Sequence, residues 1–235
     1  LWDQSLPGMS VLERGAIYDE MNRVIAALHS VDHAARGLGG YGKPGNYFER
    51  QIGRWSKQYL ASITQPIPEM DKLIEWLPAH MPASALDSGR VSIVHGDYRL
   101  DNLMFHPTEP RVIAVLDWEL STLGHPLADF AYHCMSWHIP AALGRGIAGL
   151  DLVALGIPSE QDYIQRYCER TGTADVAALH ADWNFYMAYN MFRIAAILQG
   201  IAKRVEDGTA ASAQAKAAGA TARPMAELAW SFAQR

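Results

Sequence analysis

The segment His95-Gly96-Asp97-Tyr98-Arg99-Leu100-Asp101-Asn102 lies between two short runs that are rich in β-branched residues. The runs are residues 90–95 and 111–117, and a turn at residues 107–110 precedes the second run. β-Branched residues favour strands, so the pattern predicts two or three short strands. The polar loop and Asp117, which ends the second run, are therefore expected to converge where the strands end.

This arrangement of polar residues suits phosphoryl transfer from a nucleotide. The loop can place the carboxylate of Asp97 against an acceptor hydroxyl, while the amide oxygen of Asn102 and the carboxylate of Asp117 hold magnesium on the phosphates. Mg²⁺ prefers oxygen ligands, so these side chains fit a magnesium site better than the nearby histidines, which suit zinc. The alternative, that the three residues only satisfy turns and caps, is weaker because spacing and strand context agree.

Three segments resemble the aminoglycoside phosphotransferases and their choline-kinase-like relatives. They are H-G-D-x-x-x-x-N at residues 95–102, an apolar strand ending in D-W-E at residues 117–119, and Gly-His-Pro-Leu-Ala-Asp at residues 124–129. The same order is similar to the H-R-D-x-x-x-x-N and D-F-G elements of protein kinases. The resemblance implies that Asp97 is the base, that Asn102 and Asp117 bind Mg²⁺, and that the nucleotide is ATP or GTP.

The resemblance also implies supporting roles for four further residues. His95 would orient the catalytic loop, and Arg99 occupies the position at which protein kinases carry a phosphate-facing lysine. Asp129 would anchor the loop through backbone amides. Glu119 is a third metal candidate, since the family tends to carry an acidic residue there.

A more extensive resemblance covers nearly the whole chain. Residues 6–9, 22–29 and 44–51 are similar to phosphotransferase-like proteins related to the kinase domain that is fused to some acyl-CoA dehydrogenases. This subgroup implies a hydroxyacyl group carried on coenzyme A as the acceptor, which is an analogy at the level of the fold.

The rest of the chain has helical patterns. Ser10 and Glu13 form a capping-box pattern before a run with helical periodicity, and Asn46 can cap a second helix that extends through Leu60. Further helices are predicted at residues 69–80, 176–204 and, as one final helix, 210–232. The aromatic and methionine stripe of the long helix is interpreted as core; it comprises Trp183, Tyr186, Met187 and Met191.

These patterns predict an α+β fold of the protein-kinase type. Residues 1–235 would form the mainly helical C-terminal lobe, which binds the acceptor, and a small β-hairpin region within residues 91–119 would carry the catalytic and metal-binding segment. No glycine-rich covering loop or strand lysine precedes the first helix, so the N-terminal nucleotide lobe is expected to be absent from this chain. The chain alone is then expected to hold only half of a nucleotide site.

Composition narrows the class of protein further. The chain has 235 residues, 49% of them hydrophobic, and a formal charge of −5, so it can bury a core but has no basic footprint for nucleic acid. Two cysteines without C-x-x-C spacing favour a reducing compartment, and no signal peptide or membrane span is evident, so a cytoplasmic protein is expected. The expected partners are a nucleotide and a small hydroxylated acceptor, with a homodimer allowed.

Other kinds of functional site have less support in the sequence than phosphoryl transfer. Residues 37–43 nearly match phosphate-binding loops, but they follow a helix and Pro44 replaces the metal-binding hydroxyl. The scattered histidines lack metal-ligand spacing, which disfavours a metal-dependent hydrolase. A kinase-like binding module without catalysis stays open as the alternative.

The charge of the last helices bears on the acceptor. Residues 176–235 contain six basic and four acidic residues, a balance of +2, whereas a polycationic aminoglycoside requires clustered carboxylates. This favours a neutral or anionic hydroxylated acceptor. Arg193 and Lys203 are named as candidates for its contacts.

Overall fold

A computed structural model describes residues 3–43, 45–143, 146–173 and 176–235. The helices among these residues are α1 (Val11–His29), α2 (Tyr47–Ala61), α3 (Pro68–Ala79), α4 (Ala83–Leu86), α5 (Pro126–Cys134), α6 (Leu152–Leu155), α7 (Glu160–Thr171), α8 (Val176–Glu206), α9 (Ala213–Ala220) and α10 (Ala222–Ala233). The strands are β1 (Ser92–Val94), β2 (Leu103–Phe105), β3 (Val112–Val115) and β4 (Thr122–Gly124). Helices and small sheets together agree with the predicted α+β class.

The chain divides into two compact units. The first contains Leu1–Lys43 and Arg90–Ala178, and the second contains Pro44–Gly89 and Leu179–Arg235. All four strands belong to the first unit, and none of them precedes α1 in the described part of the chain.

Helix α1 organises the first unit. The Ser10 hydroxyl accepts from the Glu13 amide at 3.3 Å, and the Glu13 carboxylate accepts from the Ser10 amide at 2.7 Å, which confirms the predicted capping box. The helix buries one face against β1 and α7. Tyr98, from the loop after β1, donates its hydroxyl to the Met21 carbonyl at 2.8 Å and so ties that loop to α1.

The strands form two antiparallel pairs, β1 with β4 and β2 with β3. In the hairpin of β2 and β3, Leu103 faces Val115, and a register shift occurs at Phe105. Two or three strands were predicted, and β4 was missed because three residues are too few to show an alternating pattern. The predicted runs are also too long at both ends. At their C-terminal ends the ladders stop because the chain turns into the candidate site.

One glycine in the loop after α1, Gly42, is explained by packing. A Cβ on Gly42 would lie 2.6 Å from the backbone nitrogen of Leu123 in β4, closer than real contacts allow. Gly42 is therefore required by the close approach of two backbone segments. This agrees with the interpretation that residues 37–43 only imitate a phosphate loop.

The second unit is helical. The Asn46 side chain accepts from the Glu49 amide at 3.2 Å, as predicted for the cap of α2. Helix α8 is buried around most of its circumference between residues 183 and 193, so the predicted core stripe is one part of a helix that is enclosed on nearly all sides. Helix α10 packs against α3.

The prediction of one final helix over residues 210–232 was wrong. The segment forms α9 and α10, which are separated at Thr221. The Thr221 hydroxyl donates back to the Ala218 carbonyl at 2.7 Å, and Pro224 has no amide to continue a helical ladder. Proline is tolerated in the first turn of a new helix, so the break at Thr221 places Pro224 where its missing amide is not needed.

Two further observations concern the chain as a whole. Both cysteines, Cys134 and Cys168, are buried and free. Among the residues that the structure describes, no helix combines the length and the apolar character needed to cross a membrane.

Candidate active site

The loop after β1 is anchored at its base by Asp129 of α5. The Asp129 carboxylate accepts from the amides of His95 at 2.7 Å and Gly96 at 2.9 Å, and its Oδ2 lies 3.1 Å from Nε2 of His29. Burial alone would raise the pKa of Asp129, but the contact with His29 and the two amides outweigh it, and the pKa lies below its usual range. An ionised carboxylate thus holds the start of the loop, the position that the resemblance implied.

His95 connects this loop to the end of β3. Its Nε2 donates to the Leu116 carbonyl at 2.8 Å, and its Nδ1 accepts from the Asp97 amide at 3.2 Å. Both bonds together require a neutral ring with its proton on Nε2. The side chain is completely buried and contacts no solvent, so its geometry suits orientation of the loop.

Only glycine fits at position 96 of this turn. Its φ is +84°, and an added Cβ would lie 2.7 Å from the Leu120 carbonyl oxygen. Both the left-handed backbone and the close approach exclude a side chain. The loop is therefore packed directly against the segment that follows Asp117.

Three side chains surround the Asp97 carboxylate. The Tyr132 hydroxyl donates to Oδ1, the Asn102 amide donates to Oδ2 at 3.1 Å, and the Arg99 guanidinium lies 3.3 Å from Oδ2. The carboxylate remains 17% exposed, so it is fixed in orientation and still accessible. Such a carboxylate can accept a proton from a hydroxyl group that is brought to it.

Tyr132 was not identified from the sequence. It lies three residues after Asp129 on α5, so the two side chains share one helix face. That spacing was the only available signal, and it could not show that the hydroxyl reaches Asp97 from a segment 35 residues away.

The hairpin brings the two predicted magnesium ligands together. The Leu116 amide donates to the Asn102 carbonyl at 2.8 Å, so Asp117 follows directly after the residue paired with Asn102. The Asn102 amide nitrogen donates to both the backbone carbonyl and the carboxylate of Asp97. The oxygen of that amide is then the atom left for a cation.

Asp117 has an unusual backbone. Its φ is +66° and its ψ is +58°, a left-handed conformation that costs energy for a residue other than glycine. The side chain is exposed, and no hydrogen bond or ion pair is made to it within the described ranges. An exposed carboxylate at this position suits a magnesium ion that takes its other ligands from phosphates and water.

Glu119 lies two residues further along, in the short 3₁₀ turn Trp118–Leu120. It is exposed, so a position near a bound cation is open to it. No group of three His, Cys, Asp or Glu side chains in the described part of the chain is arranged to hold a metal ion. A site with two or three oxygen ligands, completed by phosphates, is what this donor set can offer.

Arg99 lies between two carboxylates of its own loop. Besides the contact with Asp97, its Nε lies 3.2 Å from Oδ1 of Asp101 as an ion pair, although the N–H is not aligned for a hydrogen bond. Burial raises the pKa of Asp101, and the charge of Arg99 opposes this. A phosphate that binds Arg99 therefore has to compete with both carboxylates.

Three further histidines have structural partners. The His125 ring accepts from the Leu127 amide at 3.3 Å and caps α5, and His138 lies 2.8 Å from a Glu160 oxygen. His133 lies 2.7 Å from the Tyr163 hydroxyl within a fully buried cluster of rings. These contacts agree with the interpretation that the histidines support the fold.

The lowered pKa of the buried His133 ring makes the stability of the fold depend on pH. Burial lowers the pKa of His133 to about 4, so the ring is neutral in the folded state, whereas in the unfolded chain it protonates near pH 6.5. The stability that depends on the neutral ring is complete above pH 6.5 and is lost as the pH falls towards 4, by about 3 kcal/mol. Urea unfolding between pH 7 and 4 should show this slope, and His133→Gln should flatten it. An unchanged slope in the variant would assign the loss to other groups.

Comparison with known proteins identifies relatives of the whole chain. Residues 1–181 match the phosphotransferase enzyme family. Acyl-CoA dehydrogenase family member 10 of Mus musculus is 48% identical over 235 residues, which cover 99% of this chain and 21% of that protein. Acyl-CoA dehydrogenase family member 11 of Rattus norvegicus is 41% identical over 234 residues, which cover 99% of this chain and 29% of that protein. The chain therefore spans less than a third of the length of these curated relatives.

A solved structure is also similar. It comes from Ralstonia eutropha JMP134 and carries the provisional name of an aminoglycoside phosphotransferase. It is 68% identical, aligns with a TM-score of 0.93, and the alignment covers 100% of this chain and 69% of that one. At this level of identity the likeness extends to sequence as well as fold.

Proposed function

The chain belongs to the phosphotransferase enzyme family, and from that premise we propose that it transfers the γ-phosphoryl group of ATP or GTP to a hydroxyl group of a small molecule. One observation supports this most directly. The Asp97 carboxylate is held by Tyr132, Asn102 and Arg99, and Asp117 directly follows the residue whose backbone amide is bonded to Asn102. Asn102 thus connects the candidate proton acceptor, Asp97, with the candidate cation ligands.

In the proposed reaction the oxygen of the acceptor hydroxyl attacks the γ-phosphorus, and Asp97 takes the proton of that hydroxyl. The bond between the γ-phosphorus and the bridging oxygen breaks, and the electron pair leaves with the nucleoside diphosphate. Asn102 and Asp117, with Glu119 as a third candidate, would hold Mg²⁺, which neutralises charge on the phosphates. Positioning by the protein supplies most of the catalysis in such reactions.

His95 and Asp129 are proposed to act through Asp97. They fix the backbone that leads into Asp97, because the Asp97 amide donates to the His95 ring and the amides of His95 and Gly96 donate to Asp129. Arg99 is proposed to face the transferred phosphoryl group from its position beside the base. Its guanidinium can exchange a carboxylate for a phosphate oxygen, since both accept bidentate hydrogen bonds.

For the acceptor we propose a hydroxyacyl ester of coenzyme A. The names of two relatives refer to acyl-CoA, and the chain corresponds to a part of each of them. The solved relative instead carries the name of an aminoglycoside enzyme, so the two acceptor classes must be separated by experiment. A polycationic drug requires clustered carboxylates, which the net positive residues 176–235 do not provide.

The proposal is tested by turnover of the full-length gene product with Mg-ATP. We expect phosphorylation of a hydroxyacyl-CoA with a kcat/KM at least ~100-fold above that for kanamycin, because unmatched like charges cost several kcal/mol. Product formation is followed by mass spectrometry and nucleoside diphosphate release. A higher kcat/KM for kanamycin would refute the charge argument. Tight Mg-ATP binding without turnover of any hydroxylated compound would favour the alternative, a kinase-like binding module.

A further inference from the structure

Helix α2 has one buried face and one open, basic face. The buried face packs into the second unit through Phe48, Ile52, Trp55 and Tyr59. The opposite face borders a shallow groove of about 790 Å³ that is wide open to solvent and is lined among others by Asn46, Glu49, Arg50, Gly53, Arg54 and Lys57. Spacings of three and four residues place these side chains along one side of the helix.

The groove is positively charged on a chain that is negative overall. Three cationic side chains, Arg50, Arg54 and Lys57, border it against one carboxylate, Glu49, so its balance is +2 while that of the chain is −5. In the described part of the chain no carboxylate lies within 4 Å of the head groups of Arg54 or Lys57. Two cations are thus available to an anion from solution.

Gly53 keeps the floor of the groove open. A glycine inside a helix destabilises it by about 1 kcal/mol relative to alanine. Gly53 is exposed, its backbone is helical, and an added Cβ would meet no atom within 4 Å. Neither packing nor backbone geometry requires a glycine here. The absence of a side chain does leave room for a ligand between Arg50 and Lys57.

The aromatic core orients part of the basic face. The guanidinium of Arg54 lies 5.1 Å from the centre of the Trp55 ring, and the buried Arg193 lies 5.6 Å from the same ring. Such contacts hold a guanidinium without using its hydrogen-bond donors. The hydrogen-bond donors of Arg54 are therefore not used by this contact, and they can be directed to phosphate oxygens.

We propose that this groove, here called the α2 groove, binds the phosphate groups of the coenzyme A ester that accepts the phosphoryl group. The inference rests on the proposed function for the identity of the ligand. Arginine forks match phosphate oxygens, and paired cations suit a ligand that carries several phosphates. The nucleotide carries phosphates too, but in the proposed function those are held with Mg²⁺ by Asn102 and Asp117. The phosphates that still need protein cations are those of the acceptor.

The sequence named Arg193 and Lys203 as candidates for contacts with the acceptor, and we now propose the α2 groove instead. Arg193 is only 7% exposed, and Lys203 is paired with Glu206 at 3.4 Å and Asp207 at 2.9 Å. Both cations are therefore already engaged within the second unit.

The test uses the full-length gene product and a double variant, Arg54→Gln with Lys57→Gln. Calorimetry with coenzyme A alone should show that the dissociation constant rises ~10- to 100-fold, and the KM for a hydroxyacyl-CoA should rise similarly, since each lost phosphate contact costs up to about a factor of ten. The kcat and the KM for ATP should change less than ~2-fold. Lys216→Gln, which removes an exposed charge from α9, should change none of these constants.

A steric variant separates binding from folding. Gly53→Leu should raise the melting temperature, because leucine favours a helix, and should weaken coenzyme A binding because the side chain enters the groove. Misfolding would move both quantities in the unfavourable direction, so opposite changes support the groove.

The outcomes distinguish this inference from the proposed function. Turnover of a hydroxyacyl-CoA with unchanged KM in the double variant would overturn the groove and leave the proposed function standing. Weaker coenzyme A binding in the double variant, without turnover of any ester, would support the groove and reject the acceptor. No binding of coenzyme A by the unaltered protein at 1 mM (about −4 kcal/mol), or a rise in KM for ATP alone, would overturn the groove.

Discussion

Replacement of Asp97 by asparagine in the full-length gene product is expected to lower kcat by roughly 10²- to 10⁴-fold, the usual contribution of a positioned general base. The amide is nearly the same size as the carboxylate, so the contacts with Tyr132 and Asn102 can be kept in part while the basic oxygen is lost. The dissociation constant of Mg-ATP should change little, because the proposed role of Asp97 is towards the acceptor hydroxyl. Steady-state kinetics and nucleotide titration measure the two quantities separately.

Asp101→Asn is the matched control for that variant. Asp101 belongs to the same loop, loses the same charge and also contacts Arg99, but it lies outside the set of side chains around Asp97. Its kcat should fall by less than ~10-fold, in the range of an indirect change in positioning. If Asp97→Asn retained near-normal turnover, or if the two variants lost turnover equally, Asp97 would not be the base.

Local signals in the sequence predicted the helix starts and the loop. The capping box of Ser10 and Glu13, and the cap that Asn46 provides, depend on residues three positions apart, so they can be seen without a structure. The loop could be placed between strands because β-branched runs flank it. These features are fixed by near neighbours in the chain.

The remaining features depend on distant contacts. Tyr132 reaches Asp97 across 35 residues, and Gly96 is required by the carbonyl of Leu120 on another segment. The left-handed backbone of Asp117 has no signature, because aspartate occurs in many turns. Sequence reasoning could name Asp97 and Asp117, but not the contacts around Asp97 or the backbone conformation of Asp117.

The net charge of a segment does not show which of its cations can bind an acceptor. A net charge over residues 176–235 treats every cation as available, but a structure separates paired and buried side chains from open ones. The basic face of α2 lies outside that window, yet its spacing at residues 50, 54 and 57 was visible. What was missing was the open groove beside it, and only packing can show that.

Replacement of Asp117 by asparagine is expected to abolish the magnesium dependence of nucleotide binding. The ratio between the ATP dissociation constants without and with Mg²⁺ should fall to about one, because a neutral amide is a poorer ligand for a hard cation. Asparagine tolerates the left-handed backbone, whereas alanine there would add a backbone cost of about 1–2 kcal/mol.

Glu119→Gln is the control from the adjacent turn, and it should retain most of the magnesium effect, since Asp117 is the residue that the hairpin places next to Asn102. Asp117→Gly gives the sharpest test. Glycine accepts a φ of +66° without strain, so the melting temperature should stay equal or rise while the metal-dependent affinity is lost. If the glycine variant keeps its stability but loses the response to Mg²⁺, the left-handed backbone is maintained for the position of the carboxylate and not for stability. Full retention of the response would exclude Asp117 as a ligand.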